Sequence, residues 1–394
     1  MLATGGETVD LNERVRAVIS RSGVTNAEFA GRIGVDPTKL SKSLNGTRRF
    51  TSFELAAIAS EGRTTVDWLL TGEEQERALI AARRWNEAAA EVDEAWRRAR
   101  SRALSLAEVA AALDKLTVQP ELAALPAARH TGRPLQDAAD TAEGFLDVLR
   151  RAGAAEAFRS DPAGAVERIF DIDVAGERYA RGFDGLALCT SRFRCVIVNT
   201  SNAWSRQRFT LAHEIGHIVA GDGSEAGICV DEDVMAVGQP AEETRANEFA
   251  ACVLMPQAEV SDAVAAEGGI DDGLFGRLVG RFGVSPSALA WRLKSLGLVD
   301  DIRRAELGAV TTRLAAHHGG WTARLAELTL EQARTRRPGR LGERTVTAFA
   351  EGAVSARLVA TVQDTAPETI LTAWQEITES APADANTREA VFLP

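Results

Sequence analysis

Between Leu11 and Leu70, apolar residues recur three and four apart in short blocks separated by turn residues. The pattern predicts five helices, at Leu11–Ser20, Asn26–Gly34, Thr38–Leu44, Ser52–Ser60 and Thr65–Leu70. Asp36 supplies an N-cap for the third block, Pro37 fills its first helical position, and Asn45-Gly46 ends it. The second and third blocks therefore read as a helix-turn-helix. Residues 76–115, rich in Ala, Arg and Glu, predict one or two more helices. Either Trp85 and Trp96 pack against a neighbour or a second subunit, or the stretch is a solvated spacer. Pro120, Pro126, Gly132 and Pro134 mark a linker. Arg194–Asn199 is strand-like. Thr210, Leu211, Ala212, Ile215, Ile218 and Val219 make the following helix apolar over most of its circumference, so it should be buried. Ala246, Phe249, Ala250, Val253 and Leu254 give the next helix a buried side, and Pro256 terminates it. Beyond Asp300 the pattern is helical again, with a break at Pro338-Gly339. The expected fold is mainly α with a small sheet.

The apolar helix carries the chemistry. His213 and His217 are four apart, so their imidazoles lie one turn apart on one face and can share a metal ion. Glu214 lies between them and can reach a water on that ion. H-E-x-x-H is the zinc-peptidase signature, and two of the chain's five histidines (130, 213, 217, 317 and 318) fall in it. Buried polar groups need partners, and a metal would satisfy both imidazoles. A catalytic zinc takes three protein ligands, so a third must follow downstream. Glu242, Glu243 and Glu248 are candidates. Glu243 lies three residues before Ala246 and six before Phe249, on their buried side, whereas Glu248 falls between buried positions and is expected to face water. Asn247, one turn after Glu243, is placed to accept a hydrogen bond from the non-ligating N–H of a metal-bound histidine.

His-Glu-Ile-Gly-His at 213–217 and Glu-Thr-Arg-Ala-Asn-Glu-Phe-Ala-Ala-Cys-Val-Leu-Met-Pro at 243–256 together resemble the ImmA/IrrE family of zinc metallopeptidases. The strand at 194–199 and the Arg206-Gln-Arg-Phe lead-in resemble it too. The resemblance spans residues 140–300, approximately. It implies one zinc per chain held by His213, His217 and Glu243, with Glu214 as the general base. It also implies an α+β zincin-like domain with a short sheet beside the metal helix, and repressor proteins as substrates.

Residues 11–72 resemble the five-helix Xre/Cro-type DNA-binding domain. Thr38, Lys39, Ser41, Lys42 and Ser43 are polar while Leu40 and Leu44 keep to the packing side, so the helix can enter a major groove. Arg48 and Arg49 follow and could hold phosphates. Residues 11–70 carry nine Lys+Arg against six Asp+Glu, or +3, in a chain whose net charge is −11. The positive balance is local, where a DNA partner needs it. Gly31–Ser41 recurs as Gly280–Ala290, with Ala288 and Ala290 replacing Lys39 and Ser41 and Trp291 standing where Lys42 stood. The first copy reads as the DNA reader and the second as a packing element.

At 394 residues the chain exceeds one domain. The expected division is a helix-turn-helix domain (1–73), a helical spacer and Pro/Gly linker (74–138), a metallopeptidase domain including the second helical pair (139–300), and a helical region without recognisable chemistry (301–394). His317-His318 before Gly319-Gly320 read as a helix end, not a second metal site. The 45% hydrophobic content suits folded, soluble cores. The absence of any apolar run of about 18 residues predicts no membrane span, and the N-terminus lacks the basic start and apolar core of a secretory signal. Cys189, Cys195, Cys229 and Cys252 lack C-x-x-C spacing and read as reduced structural thiols, which suits the cytoplasm. Cys229, between the two metal-site helices, is also close enough in sequence to reach an open metal position. Tyr179 is a candidate oxyanion stabiliser, and a substrate strand is expected at the sheet edge around residues 184–199. The expected function is a DNA-binding transcriptional regulator fused to a zinc endopeptidase that cleaves a repressor or antitoxin-like protein. Its partners are operator double-stranded DNA and that protein, with a homodimer left open. The rival reading is a non-proteolytic regulator using the zinc domain as sensor or scaffold. Glu214 argues against it, because a structural site needs no general base.

Overall fold

The computed structural model describes residues 11–22, 24–61, 69, 79–84, 90–116, 121–222 and 241–380. The chain forms two compact units, Met1–Arg77 and Ala78–Pro394. The expected helix at 65–70 (Leu69 apart), Trp85 and Cys229 lie outside the described residues.

In the first unit, helices α1 (Leu11–Arg21), α2 (Asn26–Arg32), α3 (Pro37–Leu44) and α4 (Ser52–Glu61) bury Val15, Val18, Phe29, Leu40, Leu44, Leu55 and Ile58 together. Thr25 and Glu28 cap α2 reciprocally. Asp36 caps α3, accepting from the Thr38 and Lys39 amides, and Pro37 begins that helix. The Asp36-Pro37 signal thus sets the turn between α2 and α3.

The second unit is built on a four-stranded sheet. Strands β1 (Leu79–Arg84), β2 (Ile172–Glu177), β3 (Phe183–Cys189) and β4 (Arg194–Asn199) lie in the order β1-β3-β4-β2. β3 runs antiparallel to β1 and β4, and β2 parallel to β4. Side chains alternate between two cores, as the strand period of two requires. Val174, Ala187, Val196 and Val198 enter one core, and Ala175, Leu186, Leu188, Cys195 and Ile197 the other.

Three expectations change here. First, residues 76–115 are not all helical. They contain β1 and one long helix, α5 (Ala90–Leu116). That helix is not a solvated spacer: Ala95, Trp96, Ala99, Ala103, Leu106, Ala110 and Leu113 cover one face of the sheet. Alanine at most contact positions lets the helix sit close while muting its apolar signal. Second, the linker is bound to the domain. The Ala123 amide donates to Asp171, and Arg194 donates to the Ala123 carbonyl at 2.8 Å. Helix α6 (Pro134–Arg151) then starts ahead of the expected boundary and packs Ala138, Ala142 and Phe145 into the other core.

Third, the region after 300 belongs to this unit. Helices α7 (Ala155–Ser160), α8 (Pro162–Phe170), α9 (Trp204–Ala220), α10 (Ala241–Leu254), α11 (Gln257–Glu267), α12 (Asp272–Phe282) and α13 (Pro286–Ser295) precede α14 (Asp301–Gly308), α15 (Thr312–Gly319) and α16 (Thr322–Glu331). α17 (Gly339–Ala350), α18 (Ala356–Gln363) and α19 (Pro367–Ser380) follow. α15 packs closely on α12: a Cβ on Gly276 would lie 2.6 Å from the Gly319 nitrogen. Trp321 donates to the Gly276 carbonyl at 2.8 Å. Arg336 pairs with Gly176 on the outer edge of β2 through two backbone hydrogen bonds. Buried Asp173 and Glu167 accept from the Leu341 and Gly339 amides. Leu341 and Val362 then join α5 over the sheet. His317 and His318 end α15, with Gly320 in the left-handed C-cap, as expected.

Candidate metal centre

Helix α9 is buried along most of its length and ends at Gly221, whose φ of 68° terminates it. Two glycines let its neighbours approach. A Cβ on Gly185 of β3 would lie 2.6 Å from Thr210 Cγ2 and 3.6 Å from Glu214 Cγ, so α9 lies directly on that strand. A Cβ on Gly216 would lie 3.0 Å from the Phe249 ring and 3.3 Å from Ala246 Cα, so α10 approaches closely too. This second contact brings Glu243 over the two histidines.

His213 and His217 are buried, with Nε2 atoms 3.1 Å apart. Glu243 places one carboxylate oxygen 3.4 Å from His213 Nε2 and the other 3.3 Å from His217 Nε2. The two imidazole nitrogens and the Glu243 carboxylate thus converge, one carboxylate oxygen facing each histidine. A tetrahedral ion with bonds of about 2.0–2.1 Å separates its ligand atoms by about 3.3–3.4 Å, so the residues fit a metal of the zinc type. His217 Nδ1 donates to Asp222 Oδ2 at 3.0 Å, so Nε2 is the ring nitrogen turned toward the site. Asp222 also pairs with Arg245.

Burial opposes charge on His217, but its hydrogen bonds to Asp222 and Glu243 and the nearby Glu214 raise it to about 10. Burial likewise opposes charge on Glu243, yet hydrogen bonds from His213 and His217 hold it far below the usual carboxylate range. Two imidazoles and a carboxylate around one point suit a cation.

The structure thus brings His213, His217 and Glu243 within reach of one ion, with Glu214 on the same helix between the two histidines. Glu214 is fully buried between α9 and β3. Glu242 is exposed. Glu248 does not face open water: it pairs with buried Arg292 at 3.0 Å and ties α10 to α13. Asn247 is half-buried on α10, but the carboxylate on His217 Nδ1 is that of Asp222. Asp222 and Arg245 are the residues that sequence reasoning missed. Asp222 lies one residue beyond the helix cap, where no periodicity reaches it. Tyr179 is not free to stabilise an oxyanion: its hydroxyl donates to Glu177 at 2.9 Å, and its ring sits in the core on the α5 side of the sheet. Cys189, Cys195 and Cys252 are free thiols. Burial raises all three, Cys252 to about 12, so they stay protonated and unreactive near neutrality.

In the first unit Thr38, Lys39, Ser41 and Lys42 are exposed on α3, opposite buried Leu40 and Leu44. Two expected contacts change. Ser43 is buried and accepts from Arg48 at 3.0 Å. Arg48 also pairs with Glu54 at 2.9 Å, so its guanidinium is committed within the unit, whereas Arg49 is exposed. In the second copy Leu289 and Ala290 are fully buried, but Trp291 is exposed and lies under Arg304.

Residues 168–294 match the family model of the IrrE N-terminal-like domain, a metal-dependent peptidase family (Peptidase M78). The match runs from α8 through α13 and contains all four residues of the metal site. It covers about a third of the chain. No curated protein matches the chain.

Proposed function

We propose that this protein is a zinc-dependent endopeptidase joined to a DNA-binding regulator. The convergence of His213 Nε2, His217 Nε2 and the two oxygens of the Glu243 carboxylate, at contacts of 3.1–3.4 Å, carries the reading. One zinc per chain would be held there, supplying Lewis acidity toward a peptide carbonyl. Asp222 keeps His217 in the tautomer that offers Nε2. Glu214 takes the proton of the attacking water and passes it to the departing amine nitrogen. Its full burial beside Gly185 keeps bulk water from the carboxylate. A repressor or antitoxin-like regulator is the proposed protein substrate. Among the described residues no helix is long and apolar enough to cross a membrane. The protonated buried thiols fit the proposed cytoplasmic setting.

The exposed polar face of α3 supports operator DNA as the second partner. Thr38, Lys39, Ser41 and Lys42 would meet base edges, and Arg49 a phosphate. The deciding experiment measures zinc by elemental analysis, and cleavage of a co-expressed regulator, for the native chain and Glu214→Gln. The proposal expects one zinc in both and cleavage only in the native chain. Zinc in both with cleavage in neither would favour the sensor or scaffold reading. Equal cleavage would remove Glu214 from the chemistry.

A further inference from the structure

Extended peptides bind sheet proteins by adding a strand at an exposed edge. The strand under the proposed catalytic helix is β3, and Gly185 marks where Glu214 lies against it. β4 occupies one side of β3. The other side is the edge that a peptide would join, and β1 already holds it. Leu79–Ala82 pair antiparallel with Cys189–Leu186, and the register shifts between Ala82 and Arg84, alongside Gly185. α9 touches β1 as well as β3. The opposite edge of the sheet, β2, is engaged at Gly176 by Arg336.

β1 begins one residue after the boundary between the two units. Its composition is poor for a strand: Leu-Ile-Ala-Ala-Arg-Arg has two alanines and a single β-branched residue. A six-residue edge strand of that kind, with a register break, is held weakly. We propose that β1 is a cis-acting occupant of the substrate edge, closing β3 to other extended peptides until it is displaced. The inference rests on the peptidase reading and names its regulation. The connection to the DNA-binding unit would be the inhibitory element, and a displacing partner would be an extended apolar-to-basic peptide.

The test uses full-length zinc-loaded protein carrying Glu214→Gln, so that bound peptide survives. In one form Ile80→Pro and Ala81→Pro are added. Successive backbone N–H groups of a strand point to opposite sides, so one of the two prolines removes a donor to β3. The probe is a labelled synthetic peptide of residues 76–87. The double-proline form should bind it at least about tenfold more tightly than its parent. Amides of residues 185–189 should exchange faster in that form and regain protection with peptide. Ile80→Val with Ala81→Val keeps the donors and favours a strand, so it should bind less peptide and slow exchange. Equal affinity across all three forms, or β3 amides indifferent to the substitutions, would overturn the proposal. Cleavage is read separately in the Glu214 background. Failed cleavage with the binding pattern intact would sink the endopeptidase reading alone, and intact cleavage without the pattern would sink only the edge occupancy.

Discussion

His217 stands between two carboxylates with different tasks. Glu243 faces the same point in space as its Nε2, while Asp222 holds its Nδ1 proton. Removing the second task tests the first. Asp222→Asn should weaken zinc binding about 10–100-fold, read by competition with a chromogenic chelator, because the ligand nitrogen loses basicity and orientation. Unchanged affinity would deny Asp222 that role. The metal-stripped protein gives an independent check. The folded value near 10 lies above the ordinary 6.5, so stabilisation by the imidazolium is complete below about pH 6.5 and fades as pH rises through 10. Its melting temperature should fall across that window, and a flat profile there would contradict the coupling. Zinc must displace that proton, so uptake near neutrality should release it to the medium. The ligands were legible in the sequence because helical periodicity alone brings residues 213 and 217 together and turns 243 inward. Asp222 was not, since its position depends on where the chain goes after Gly221.

Helix contacts decide how well those ligands are held. Gly216 has no side chain because α10 passes over it, with the Phe249 ring and Ala246 in contact range. Gly216→Ala should force a shift of a few tenths of an ångström between α9 and α10, costing about 1–3 kcal/mol of stability. It should also loosen zinc through Glu243, although it changes no ligand. Thermal melts and chelator competition on one preparation separate the two effects, and an unaltered melt would mean that the helices accommodate the methyl. On α3, Lys39→Ala and Lys42→Ala should each weaken operator binding, by about 1–3 kcal/mol where a base edge is contacted. Arg49→Ala should lower the salt dependence of binding. Arg48→Ala should instead lower the melting temperature of the first unit, because Arg48 holds Ser43 and Glu54. Titrations at two salt concentrations distinguish these outcomes, and a salt slope altered by Arg48→Ala alone would reverse the assignment. The cap of α3 was readable because Asp36 and Pro37 act on adjacent backbone. The role of α5 was not, because an alanine-lined face carries little hydrophobic contrast, and β1 was hidden by alanine and arginine.

Across the whole molecule, the sheet is covered on both faces by segments far apart in sequence. One core draws on α6, α9, α10 and α12, and the other on α5, α17 and α18. A chain ending at Gln332 would lose the Gly176–Arg336 bridge, the Leu341 and Gly339 bonds to Asp173 and Glu167, and the Leu341 and Val362 cover. It should melt at a lower temperature and retain less zinc, and native stability in that truncation would show the C-terminal helices to be dispensable. Their role was illegible because nothing in an amphipathic helix names the surface it meets. The same arrangement sets a clock. During synthesis the ribosome delivers His213, His217 and Glu243 before residues 336–362 exist, so the nascent sheet still has one incompletely covered face. Maturation of the second unit therefore waits on the translation of residues 336–362, and a message that stalls or ends before them yields a centre whose ligands are present but whose scaffold is unfinished.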